Sequence, residues 1–232
     1  MQLDIDIRKT MHSGNRTFCL DIRLRSNSRR LVIVGPSGAG KTLTLQAIAG
    51  LLRPDTGHIH LDGQVLFDST RRVDLPPQAR EMAYVFQDYA LFPHLTVRQN
   101  IAFPLVRGWA NPARSRHSDA VDYWLHAFEL DKLADQFPSE LSGGQRQRTA
   151  LARALVTKPR ALLLDEPFAA LDPALRNAMR RELDRLQQRL QVPMVLITHD
   201  PEDAAVLGEQ VLHLHDGRLL GAQATGGAVA VG

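Results

Sequence analysis

Cysteine is nearly absent from this sequence: Cys19 stands alone in 232 residues. One thiol excludes an internal disulfide and fits a reducing compartment. Its place in FCLDIRL, residues 18–24, reads as a core position on a strand. Long apolar runs are missing too. None approaches the ~20 residues of a membrane helix, so the chain is expected to work at a membrane only through a partner. The opening MQLDIDIRKT carries early acids and no apolar stretch, which is not the pattern of a signal peptide. Net charge is scarce: 28 Lys and Arg against 25 Asp and Glu leave +3, too little to argue for nucleic acid. No internal repeat is present.

What is there is the composition of a soluble globular protein, long enough for one large domain or a core with a subdomain. LDIDI (3–7) and FCLDIRL (18–24) alternate apolar and polar residues, as half-buried antiparallel strands do. LVIV (31–34), AYVF (83–86), the apolar part of RALLLDE (160–166) and PMVLITH (193–199) are continuous apolar runs, as expected of strands covered on both faces. Asp62-Gly63 and Asp216-Gly217 predict hairpin turns. Helices are predicted through residues 43–49 and 174–190. From Asp88 to about Arg160 the chain reads as a helical insertion broken by Pro93, Pro104, Pro112 and Pro138. Strands alternating with helices predict an α/β domain with a largely parallel sheet.

Residues 35–42, GPSGAGKT, match GxxxxGK[ST] between an apolar strand and a helix. In such a loop, here Gly35, Pro36, Ser37, Gly38, Ala39 and Gly40, the glycines let backbone N–H groups curl around phosphate oxygens. Lys41 reaches the β- and γ-phosphates, and Thr42 suits Mg2+. Asp165 and Glu166 end a buried strand, where ligand sites of open α/β sheets lie. Asp165 suits Mg2+. Glu166 suits orientation and deprotonation of an attacking water. Gln87 and His199 follow two further apolar strands; an amide oxygen there suits Mg2+ or water, and an imidazole suits the γ-phosphate or Glu166. His58/His60 and His213/His215 each share a strand face, but the sequence offers no third metal ligand, so solvated strand faces are expected. A second glycine-rich helix start lies at 141–145, LSGGQ, where Ser142 and Gln145 have the spacing of a capping box.

Together these motifs resemble the nucleotide-binding subunit of an ABC transporter. GPSGAGKT looks like its Walker A loop, ALLLDEP (161–167) like Walker B, and Gln87 in YVFQDYALFPHLTV like the Q-loop. LSGGQ resembles the family signature, Ala170-Leu171-Asp172 the D-loop, and His199 in ITHD the switch histidine. The resemblance implies a P-loop NTPase: a RecA-like core, an antiparallel β subdomain and an inserted helical subdomain near 88–160. The domain is expected to span 1–220, with a flexible tail at 221–232 and without the C-terminal regulatory domain many relatives carry.

The resemblance further implies ATP hydrolysis with ATP and Mg2+, Glu166 and His199 being catalytic and Thr42, Gln87 and Asp165 serving the metal. It implies a head-to-tail dimer in which Leu141, Ser142, Gly143, Gly144 and Gln145 close over the other copy's ATP, beside the D-loop Asp172. Gln87–Pro93 would receive a permease, with Tyr89, Leu91, Phe92 and Pro93 as an apolar wall and a solute-binding protein acting indirectly. The protein would sit peripherally at the cytoplasmic face of the inner membrane. Three departures stand out. No tyrosine occupies the early loop, TMHSGNRTFCL, that supplies the adenine-stacking ring, which leaves Phe18 or His12. Ser26-Asn27-Ser28-Arg29-Arg30 replaces the usual acidic-glycine turn. Phe168-Ala169-Ala170 lacks a common serine. The combination of GNRTFCLDIRL, VGPSGAGKT, QDYALFPHLTVRQNIAF and DEPFAALD is most similar to the molybdate and sulfate importers, with iron(III), thiamine and polyamine importers, or a soluble non-transport ABC ATPase, as alternatives.

Overall fold

The computed structural model describes residues 1–14, 16–106, 111–113, 118–169 and 171–224. Its strands join in one 11-stranded sheet with the order β6-β5-β4-β1-β2-β11-β10-β3-β9-β8-β7. At one end the alternating segments form an antiparallel arm. Strand β1 (Leu3–Ser13) pairs with β2 (Arg16–Ser26) from Leu3↔Ser26 to Ser13↔Arg16, and with β4 (Thr56–Leu61) on its other edge. Strands β5 (Gln64–Asp68) and β6 (Val73–Asp74) extend the arm outward. Period-2 alternation sends Leu3, Ile5, Ile7, Leu20 and Ile22 inward. It also sends Cys19 outward. That thiol is exposed, not the core residue expected, because its neighbours Phe18 and Leu20 take the inner face.

The other end is parallel. Strands β3 (Arg30–Val34), β9 (Met194–Thr198), β8 (Ala161–Asp165) and β7 (Met82–Val85) run side by side, and β10 (Gln210–His215) flanks β3. Their continuous apolar runs serve two cores. Leu31, Ile33, Leu163, Val195 and Ile197 face one side, with helix α1 (Lys41–Ala49) and the antiparallel arm. Val32, Leu162, Leu164, Met194 and Leu196 face the other, with the remaining helices. Strand β11 (Arg218–Ala224) hairpins onto β10 and meets β2 through Arg218↔Asp21, which joins the two arms. Strand β11 runs to Ala224, within the segment expected as a tail at 221–232; residues 225–232 lie outside the described residues.

Between β7 and β8 come α2 (Val97–Ala102), α3 (Asp119–Ala127) and α4 (Gly143–Leu155), with short 3-10 turns. Helices α5 (Pro173–Leu190) and α6 (Pro201–Leu207) follow β8 and β9. Both hairpin turns form where Asp-Gly predicted them, with positive φ at Asp62, Gly63, Asp216 and Gly217. No helix among the described residues is long and apolar enough to cross a membrane.

Candidate functional site

The loop after β3 is shaped by contacts that a side chain would break. A Cβ at Gly35 would lie 2.2 Å from the Leu214 carbonyl oxygen of β10. Gly40 has φ +101°, and a Cβ there would meet Leu20 at 2.8 Å and the Phe18 ring at 3.0 Å. Gly40 is also the N-cap of α1, and no side chain caps that helix. By contrast, Thr96, Ser142, Asp172 and Asp200 cap α2, α4, α5 and α6 with side-chain oxygens. The α1 start also has no acid in its first turn. Its amides and positive dipole end are left for an external anion.

Lys41 is buried, and its ammonium group donates to the carbonyls of Gly35 (2.8 Å) and Pro36 (3.1 Å). Glu166 stands 3.4 Å from that ammonium and 2.9 Å from Nδ1 of the half-exposed His199. Glu166 is held at φ +44°, and its N–H donates to the Ile197 carbonyl. The structure thus brings together three of the predicted residues from three different strand ends. Thr42 and Asp165 also converge: the hydroxyl donates to Asp165 Oδ1 at 3.2 Å. The second carboxylate oxygen accepts from the Tyr84 hydroxyl at 2.7 Å.

Burial pushes the Asp165 carboxyl above its ordinary range, against the two hydrogen bonds that lower it. Burial, and then the Asp165 carboxylate, push the Tyr84 phenol far up, so it stays a neutral donor. A costly buried anion beside a hydroxyl oxygen is a donor set that suits a hard divalent cation such as Mg2+. Sequence reasoning missed Tyr84. Its signal is position: an aromatic hydroxyl opposite Leu163, two residues before Asp165 and so on the same face of the sheet.

The remaining predicted residues are placed as follows. Gln87 is exposed in the turn after β7. Tyr89 is buried, its hydroxyl donating to the Pro167 carbonyl at 3.2 Å. It occupies positive φ, as does Ala90, and Arg153 of α4 holds both carbonyls at 2.6 and 2.7 Å. Leu91 and Phe92 are half-buried and Pro93 is exposed. Phe18 is half-buried against the core beside Gly40, and His12 is exposed near the end of β1. Asp172 caps α5, and Ala170 lies outside the described residues.

At LSGGQ, Ser142 accepts from the Gln145 N–H (3.3 Å) and Gln145 accepts from the Ser142 N–H (2.8 Å). Leu141 is buried. The two glycines have a packing role that the sequence did not reveal. A Cβ on Gly143 would meet Leu171 at 3.0 Å, and one on Gly144 would meet Leu175 at 3.1 Å.

The loop bearing His199 is anchored from α5. Arg180 donates to Asp200 at 3.1 Å and to Asp203 at 2.6 and 2.8 Å, while Thr198 donates to Asp203 at 2.6 Å. Arg176 adds a bond to Asp200. Position along the helix alone could not show that these arginines brace the strand end.

Residues 21–169 match the family model described as "ABC transporter". The chain is 39% identical to the molybdenum import ATP-binding protein ModC of Paramagnetospirillum magneticum, over 94% of this chain and 58% of that one. It is 46% identical to the sulfate/thiosulfate import ATP-binding protein CysA of Caulobacter vibrioides (82% and 55%). It is 48% identical to the Fe(3+) ions import ATP-binding protein FbpC of Pseudomonas fluorescens (82% and 53%). The chain thus spans little more than half the length of these relatives. Among solved structures it resembles the ATP-binding cassette MJ0796, described as a dimer in a post-hydrolysis state bound to ADP and Pi. The TM-score is 0.79 at 29% identity, over 98% of this chain and 100% of that one. The fold is that of the P-loop NTPases.

Proposed function

The chain belongs to the ABC transporter family, and on that premise we propose that it is the ATP-binding, ATP-hydrolysing subunit of a solute importer. The observation that carries this reading is the convergence of Lys41, Thr42, Asp165, Glu166 and His199 at neighbouring strand ends. The P-loop amides and Lys41 hold the β- and γ-phosphates. Thr42 and Asp165, joined by Gln87, would hold Mg2+, which would offset phosphate charge and polarise the γ-phosphoryl group. Phe18, which borders Gly40, is assigned to the adenine.

Glu166 orients a water and accepts its proton as the water oxygen bonds to the γ-phosphorus. The bond from that phosphorus to the bridging oxygen breaks, and ADP leaves with the electron pair. His199 keeps Glu166 aimed at the water. In the present arrangement Glu166 also leans on Lys41, so phosphate binding gives Lys41 a new partner and frees the carboxylate. Glu166→Gln is expected to lower turnover by about 10²–10⁴-fold while ATP binding persists. Full turnover in that variant would refute the role. Unchanged nucleotide affinity in Lys41→Ala would overturn the P-loop assignment.

The signature LSGGQ is assigned to the ATP of a second copy, in a head-to-tail dimer with Asp172 nearby. The dimeric state of the similar cassette supports this. The segment Gln87–Pro93 is assigned to a permease, through which the chain sits peripherally at the cytoplasmic membrane face and responds to a solute-binding protein. The transported solute is proposed to be molybdate or a related oxyanion, on the likeness to the ModC and CysA proteins. Iron(III) is a second reading, favoured by the 48% identity to the FbpC protein. Co-purification with a permease, then ATPase stimulation by molybdate, sulfate or iron(III) with the binding protein, separates them. Failure to recover any membrane subunit counts against the importer reading itself.

A further inference from the structure

We propose that Asp4, His58 and His60 form a binding site for a divalent transition-metal ion, Zn2+ foremost, that ties β1 to β4 outside the nucleotide site. His58 and His60 are two apart on β4 and so project from the same face. Strand β1 runs antiparallel beside them, with Asp4 directly opposite His60. The sequence could not show this carboxylate as a partner, because it lies more than fifty residues earlier.

One ligand atom from each of the three residues falls within 4.8 Å of the others. The two imidazole rings stack with centroids 4.6 Å apart, and His58 Nε2 is 3.5 Å from Asp4 Oδ1. His60 Nε2 is buried and, among the described residues, has no hydrogen-bond partner. An orphaned, buried nitrogen on an imidazole stacked against a second imidazole is costly as it stands. A metal ion accepts that nitrogen's lone pair and removes the cost.

The donor set indicates which ion. Two nitrogens and one carboxylate oxygen match the three protein ligands of an open zinc site, with water as the fourth. Imidazole also suits Cu2+ and Ni2+, whereas Mg2+ and Ca2+ call for oxygens. The trio is accessible to an entering ion, since His58 and Asp4 keep side-chain exposures of 31% and 26%. Arg25 competes for Asp4 at 3.1 Å, but it bonds the other carboxylate oxygen and is 84% exposed, so the pair is weak. His213 and His215 have the same spacing on β10, yet they face Val34 and Arg218 in register. His215 pairs with the neighbouring Asp216, and no three-ligand cluster includes either histidine among the described residues. They make a built-in control.

The test uses the untagged full chain saturated with Mg-ADP, so that the nucleotide site is filled. Zn2+ binding is read by calorimetry and metal analysis after dialysis. The wild type should bind one equivalent at this site and gain thermal stability with Zn2+ but not with added Mg2+. His58→Ala/His60→Ala should weaken that equivalent by more than about 100-fold, beyond the loss typical of an outer-shell change. His213→Ala/His215→Ala should retain it. Should the double variant not fold, as judged by circular dichroism and ADP binding, His60→Gln alone should still lose the equivalent. No bound equivalent in the wild type, or undiminished binding in the His58/His60 variants, would overturn the proposal.

Discussion

Asp165 accepts hydrogen bonds from Thr42 and Tyr84, yet burial still raises its proton affinity. A carboxyl whose folded-state pKa is raised contributes stability at low pH. That contribution is lost as pH climbs from the ordinary carboxylate range through the raised value. At neutral pH the charged residue is therefore a burden that a bound cation relieves. Asp165→Asn without nucleotide should melt higher than the wild type at pH 7, by about 2–4 °C for each 1 kcal/mol in a domain of this size. The gap should close as pH falls below the carboxylate range, where both side chains are neutral. The same variant should lose Mg2+-dependent nucleotide affinity. A melting scan across pH and a nucleotide titration check both halves.

At the scale of elements, LSGGQ shows two kinds of constraint in five residues. The capping box was legible from the Ser-to-Gln spacing alone, and it forms. Ser142→Ala should cost about 1 kcal/mol in chemical denaturation. The glycines were not legible as packing residues, because Leu171, just before α5, and Leu175, in its first turn, reach them from about thirty residues further along the chain. Gly144→Ala should destabilise the chain, and Leu175→Ala should relieve part of that. A double-mutant cycle should give a coupling of about 0.5–3 kcal/mol; additive losses would refute the contact. Arg80 is a similar case. It is fully buried and donates to the Ala47 and Ile48 carbonyls at the end of α1, to Leu75, and to Asp74. Nothing in PPQAREM marks that arginine as the clamp on the helix that begins at the P-loop. Arg80→Ala should cost about 1–3 kcal/mol, the loss expected when buried carbonyls are left without their donor.

For the whole molecule, the sheet separates two cores. The antiparallel arm and α1 lie on one, while α2 to α6 feed the other. LSGGQ begins α4, whose apolar residues belong to the second core, whereas the P-loop leads into α1 on the first. If the signature serves a second copy, Glu166→Gln with ATP should run at twice the monomer mass by light scattering. Ser142→Arg in that background should stay monomeric while still binding ATP. A dimer surviving that change would return LSGGQ to a plain helix cap.

The sequence by itself determined most of the strands, the glycine-rich loop after β3 and the capping box at Ser142. Each depends on neighbours a few residues apart, where periodicity and backbone geometry act. Only the tertiary structure decided that Cys19 faces solvent, that Tyr84 holds Asp165, that Arg153 holds the turn at Tyr89, and that Asp4 stands beside His58 and His60. Those pairings are set by strand register and by helix placement across the sheet. No local pattern records which distant residue a register brings alongside.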